Sequence, residues 1–125
     1  MPLFRINPEH PFQGPHQNQP TATAGPSPEQ AGIAMILVHG RGASAESMLL
    51  FAEEFERDDV HYRALQASGH TWYPQSFLAP KEQNQPGINS GLQGIYDQIQ
   101  SLSEAGITTD KIILLGFSQG CLSGY

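Results

Sequence analysis

The sequence predicts an α/β fold, a parallel sheet with flanking helices. Three observations carry that reading. Residues 33–38 are apolar throughout, and residues 111–115, a lysine followed by four apolar residues, form a second run of strand length. Between the two lie segments whose apolar residues recur at helical spacing. A strand–helix–strand–helix–strand order of this kind builds parallel strands joined by crossover helices.

Each element has its own local reason. Ile33, Met35, Ile36, Leu37 and Val38, with Ala34 among them, read as a strand buried on both faces. Two glycines follow in the turn at His39, Gly40, Arg41 and Gly42. Ser44 is placed to cap a helix in which Met48, Phe51, Ala52 and Phe55 repeat every three or four residues, with Glu53, Glu54 and Glu56 on its wet side. Residues 60–67 read as a second strand entering a polar loop at Ser68, Gly69 and His70. A helix follows from Ile88, Leu92, Ile95, Tyr96, Ile99 and Leu102, with Gly106 set to close it. The third strand, at 111–115, ends at Gly116.

The first thirty residues are different in texture. Seven of the ten prolines lie there, at positions 2, 8, 11, 15, 20, 26 and 28, so no helix forms across them. The polar stretch 13–23 reads either as an irregular edge hairpin or as a tail. The chain therefore divides into a Pro-rich amino-terminal segment, 1–31, with a possible edge hairpin, and a partial domain, 32–125. His10 and His16 fall where no strand or helix is expected to hold them.

Composition narrows the function. Twelve acidic residues against six basic ones give a formal charge of −6, which argues against a nucleic-acid groove or an anionic membrane surface. One cysteine, Cys121, forms no internal disulfide and no zinc ribbon, so neither a metal nor an oxidising compartment is expected. No apolar stretch approaches the roughly twenty residues of a membrane span. The amino terminus has no secretory pattern, and a cytoplasmic protein is the expectation. Neither GxGxxG nor GxxxxGK[ST] occurs, which disfavours a nucleotide site.

The chemistry centres on residues 116–120, which read Gly-Phe-Ser-Gln-Gly and fit G-x-S-x-G. The motif follows an apolar strand directly, and residues 119–122 read as the start of a helix. That is the strand–turn–helix setting of a nucleophile elbow, in which Gly116 and Gly120 make room for a strained serine at Ser118. The alternative is an ordinary helix-capping serine. Acyl transfer also needs two backbone donors for an oxyanion. Gln119, after the nucleophile, supplies one, and Arg41 in the turn after the earlier strand supplies the other. That turn can also be read as a plain Gly-rich reversal, with Gly40 and Gly42 serving only the bend. His39 is expected to brace it. Trp72, Tyr73 and Phe77 either line a substrate pocket or simply pack. Cys121 lies three residues past the nucleophile position and reads as a small buried helix residue.

Residues 36–42 together with 115–120 resemble the phospholipase/carboxylesterase family of α/β-hydrolases, which includes the acyl-protein thioesterases. The Trp72-Tyr73-Pro74 run is similar to its bacterial esterase branch. The resemblance covers residues 32–125. It implies the amino-terminal half of an α/β-hydrolase fold and a serine hydrolase acting on small-molecule esters or thioesters without a cofactor. Ser118 is then the nucleophile, with the Arg41 and Gln119 amides forming the oxyanion hole. The sequence departs from the family where Cys121 follows Gly120, a place for Ala or Gly. It departs further in having no Asp or His after Ser118, where the family places both. Loss of the histidine alone removes about a million-fold in turnover in well-studied triads, so this chain by itself is expected to be nearly inactive. The alternative is a non-catalytic binding module or vestigial fragment that needs a partner to complete its sheet, or a triad completed by a second chain. The sequence leaves the oligomeric state open.

Overall fold

The computed structural model describes residues 5–120. Cys121 and the helix expected to continue past Gly120 lie outside them. The architecture is built around β2 (Ile33–Val38), whose Ala34, Ile36, Leu37 and Val38 are wholly buried. A strand with no polar residue can be stable only with both faces covered and both edges paired, and β2 has both. On one side lies β3 (Val60–Leu65) and on the other β4 (Ile112–Gly116), each parallel to it. A short strand, β1 (Ala22–Ala24), pairs antiparallel with β3, which gives the sheet order β1-β3-β2-β4.

The sheet is therefore mixed rather than all parallel. The antiparallel strand comes from the Pro-rich segment. Residues 13–23 do not fold back on themselves as a hairpin; they contribute only to an edge strand paired with β3. Pro20 and Pro26 flank its three residues, and an edge strand that short tolerates them because the proline nitrogens owe no ladder bond.

Two helices cover opposite faces. α1 (Ala45–Ala52) begins at Ser44, whose Oγ accepts from the Ser47 N–H at 3.1 Å, while Ser47 Oγ accepts from the Ser44 N–H at 3.2 Å. That reciprocal pair satisfies two end donors at once. α1 presses Ala45, Met48 and Ala52 against Leu37, Val60, Tyr62 and Ala64. The helix stops at Ala52 and tightens into a 3₁₀ turn over Glu53–Phe55. The expectation that Phe51 and Phe55 belong to its buried stripe is corrected here. They stay 42% and 39% exposed, because Ala45, Met48 and Ala52 take the face toward the sheet.

α2 (Gly87–Glu104) packs Ile88, Ile95 and Leu102 with Ala34, Ile36, Val38 and Trp72 on the other face. Its last turn closes as the sequence indicates. Gly106 has φ +102°, its N–H donates to Ser103 O at 3.0 Å, and the Ile107 N–H donates to Leu102 O at 3.0 Å. Buried Ile107 and Leu102 then meet in the core, which completes the stop.

Candidate active site

The carboxyl ends of β2 and β4 stand side by side, with Val38 paired to Gly116, and the Phe117 N–H donates to Val38 O at 3.1 Å. Two turns leave the sheet together there. From β2 come His39, Gly40, Arg41 and Gly42; from β4 come Phe117, Ser118 and Gln119. A Cβ on Gly40 would stand 3.2 Å from the Phe117 carbonyl oxygen and 3.5 Å from Ser118 Cβ, so the two backbones are in contact. Gly42 takes φ +80°, a conformation few L side chains adopt.

Ser118 has φ +51° and is exposed at the top of β4. For a residue with a Cβ this left-handed conformation costs about 1–3 kcal/mol. A strained serine on a strand-to-turn corner is the geometry G-x-S-x-G requires. Residues Ser118–Gly120 tighten into a 3₁₀ turn. Among the described residues, the Arg41 and Gln119 N–H groups make no backbone hydrogen bond outside the helices and strands.

His39 is wholly buried and braces the first turn. Its Nε2 accepts from the Ala67 N–H at 3.0 Å, so Nδ1 carries the proton and donates to Gly40 O at 2.7 Å. Burial holds its pKa below the ordinary histidine value, against the pull of the Gly40 carbonyl and helped by nearby His70. A neutral ring with both nitrogens committed is a strut, not a base for Ser118.

Trp72 and Tyr73, read from the sequence either as pocket lining or as packing, are core residues, 2% and 6% exposed. Trp72 joins three parts of the chain. Its indole N–H donates to His39 O at 2.7 Å, its backbone N–H donates to Gln119 Oε1 at 2.6 Å, and its carbonyl accepts from His16 Nε2 at 2.7 Å. Its ring lies against the rings of His16 and His39, with centroids 4.8 and 5.1 Å away. Phe77 does not join this packing and is 69% exposed.

His16 corrects the expectation of a loosely held amino-terminal histidine. It is 8% exposed, and its Nδ1 accepts from the Ser68 N–H at 3.0 Å. Burial lowers its pKa, partly offset by the Trp72 carbonyl, and His39 lowers it further. The Pro-rich segment is stapled to α2 around it: the His16 N–H donates to Ser90 Oγ at 2.9 Å and Ser90 Oγ donates to Gln17 Oε1 at 2.7 Å. A cavity of about 210 Å³ opens beside this staple, lined in part by Gln13, Gln17, Asn18, Gln66 and Asp97; none of its lining residues is Ser118, Trp72 or Tyr73.

Sequence reasoning missed two contributors. The Gln119 side chain was not assigned a role, although a carboxamide directly after the serine is suited to bridge a backbone N–H and a neighbouring carbonyl. His16 had no local pattern to reveal it. Among the described residues, no group of three or more His, Cys, Asp or Glu side chains could hold a metal, and no helix is long and apolar enough to cross a membrane.

The model of the family described as phospholipase/carboxylesterase matches residues 19–124. Among solved structures, the chain is similar to a phospholipase/carboxylesterase from Dyadobacter fermentans, with 34% identity and a TM-score of 0.82. That match covers 88% of this chain and 53% of the other, so the chain spans about half the length of that relative. No curated protein matches the sequence.

Proposed function

The chain belongs to the phospholipase/carboxylesterase family, a hydrolase family of α/β-hydrolase fold, and from that premise we propose that it forms the amino-terminal part of a serine hydrolase cleaving carboxylic esters or thioesters at Ser118. The observation that carries the proposal is the left-handed serine at φ +51°, in backbone contact with the Gly40 turn at the carboxyl ends of β4 and β2. Ser118 Oγ attacks the acyl carbonyl and forms a bond to its carbon. The resulting oxyanion accepts from the Arg41 and Gln119 N–H groups, the alcohol or thiol departs, and water releases the acyl group from the serine.

A base must take the Ser118 proton. His16, His39, His61 and His70 each have a ring nitrogen bonded to a backbone carbonyl, of Trp72, Gly40, Pro26 and Ala43 respectively. Residues 119–125 contain neither His nor Asp. On this reading the acid–base pair comes from the part of the fold that the chain does not span, since its match covers 53% of the similar structure.

Fluorophosphonate labelling of an extract of the source cells, followed by intact mass, tests the reading. The expected result is a label on Ser118 in a species heavier than 13.6 kDa. A native species of 13.6 kDa that takes no label overturns it.

A further inference from the structure

The two residues whose amides face the reacting carbon in the proposed function also share a task through their side chains. The Arg41 guanidinium donates from Nη1 to Pro74 O at 3.3 Å and from Nη2 to Gln75 O at 3.0 Å. The Gln119 carboxamide accepts the Trp72 N–H at Oε1 and donates from Nε2 to Tyr73 O, both at 2.6 Å. Four consecutive residues, 72–75, are thus gripped twice, once from the turn after β2 and once from the turn after β4. Apart from them, the two turns meet at the strand ladder below and where Gly40 packs against the backbone of residues 117 and 118.

We propose that residues 72–75 act as a spacer that sets the separation and tilt of the Arg41 and Gln119 amides, and that these two side chains are positioning groups for the oxyanion site. The inference rests on the reading of Ser118 as nucleophile. The spacer is itself anchored. The Trp72 ring is buried, its indole N–H holds His39 O, and the Gln75 N–H donates to Asn84 Oδ1 at 2.7 Å. Gly87, at the start of α2, lets the helix reach it, since a Cβ there would lie 2.1 Å from Trp72 O.

The side-chain types follow from the task. A carboxamide is the group that can accept from one backbone N–H while donating to the next carbonyl; a glutamate would present an oxygen to the Tyr73 carbonyl. The arginine fork spans two carbonyls at once, where a lysine ammonium is a point donor. Gln119 is 5% exposed, whereas the Arg41 bonds are exposed, so the Gln119 grip carries more of the effect.

The test follows the rate of Ser118 phosphonylation in the native protein that carries these residues, separating the maximal labelling rate from the probe's apparent affinity. Gln119→Ala and Gln119→Glu are expected to lower the maximal rate roughly 10- to 100-fold, the scale of a small misplacement of reacting groups. Their apparent affinity for the probe stays near that of the parent. Arg41→Ala loses several-fold, Arg41→Lys recovers part of that loss, and the Gln119→Ala, Arg41→Ala pair is little worse than Gln119→Ala alone, because one lost grip already frees the spacing. Should the Gln119 variants not fold, Arg41→Ala and Arg41→Lys, altered at an exposed side chain, carry the test. Variants that melt and label as the parent does overturn the spacer while leaving the hydrolase reading intact. A parent protein that does not label overturns both.

Discussion

At the scale of single residues, the site is held by conformational strain and by neutral buried histidines, and each gives a measurable consequence. Ser118 sits at φ +51°, where a glycine would rest without penalty. Ser118→Gly is therefore expected to raise stability by about 1 kcal/mol in urea unfolding while abolishing fluorophosphonate labelling. A loss of stability would mean that the serine hydroxyl, not the backbone, dominates there. His16, His39 and His61 all have pKa values lowered mainly by burial. Their folded values lie below 6.5, so as pH falls the unfolded chain takes up protons first. Stability is then fully present above about pH 7.5 and falls as pH drops through the unfolded value. Its slope approaches about 1.4 kcal/mol per pH unit for each ring. Urea midpoints measured between about pH 5 and pH 8 should show this decline, and His16→Gln should remove about a third of it. A midpoint indifferent to pH would mean that the rings stay solvated or already carry their protons.

At the scale of elements, two glycines at the ends of α2 separate close contact from conformation. A Cβ on Gly87 would stand 2.1 Å from the backbone oxygen of Trp72, which cannot swing aside as a side chain could. Gly87→Ala must move the helix or the spacer and is expected to cost about 1–3 kcal/mol. Gly106 is at φ +102°, but a methyl group on it would meet nothing within 4 Å. Gly106→Ala therefore costs only its backbone preference, about 1 kcal/mol. Thermal melts of the two variants should rank in that order, and the reverse order would refute the close approach at Gly87. The difference also explains what was legible in the sequence. Gly106 could be placed because it follows a periodic helix, just as Ser44 could be placed before one. Likewise β2 and the turn at Ser118 stood out as an apolar run and a short motif. Nothing near Gly87, His16 or the Gln119 side chain announces Trp72, because their partners are distant in sequence and chosen by the folded chain. The antiparallel β1 was hidden for the same reason: Ala22 pairs with Ala64, and only the edge position makes the neighbouring prolines acceptable.

At the scale of the whole molecule, the described sheet ends on one side in a short strand between prolines and on the other in an apolar strand. β1 ends the β3 side with a strand of three residues between prolines, a short edge that resists further pairing. β4 ends the other side with five residues, of which Ile113 is 45% and Leu114 41% exposed. The two point to opposite faces, so both faces of the edge are apolar. On the α1 side the patch continues through Phe117, 37% exposed, to Phe51, whose ring meets it edge-on with centroids 5.0 Å apart. Contiguous apolar surface along the outer edge of a strand favours association with any chain that offers another strand. The 125-residue chain taken alone is expected to self-associate in a concentration-dependent way. Ile113→Lys and Leu114→Lys, which place a charge on each face of the edge, should suppress that association without reaching the Trp72 core. Light scattering across a concentration series decides between this and a capped edge. A parent chain that stays monomeric at high concentration would show that the β4 edge is already protected, and the lysine variants would then change nothing.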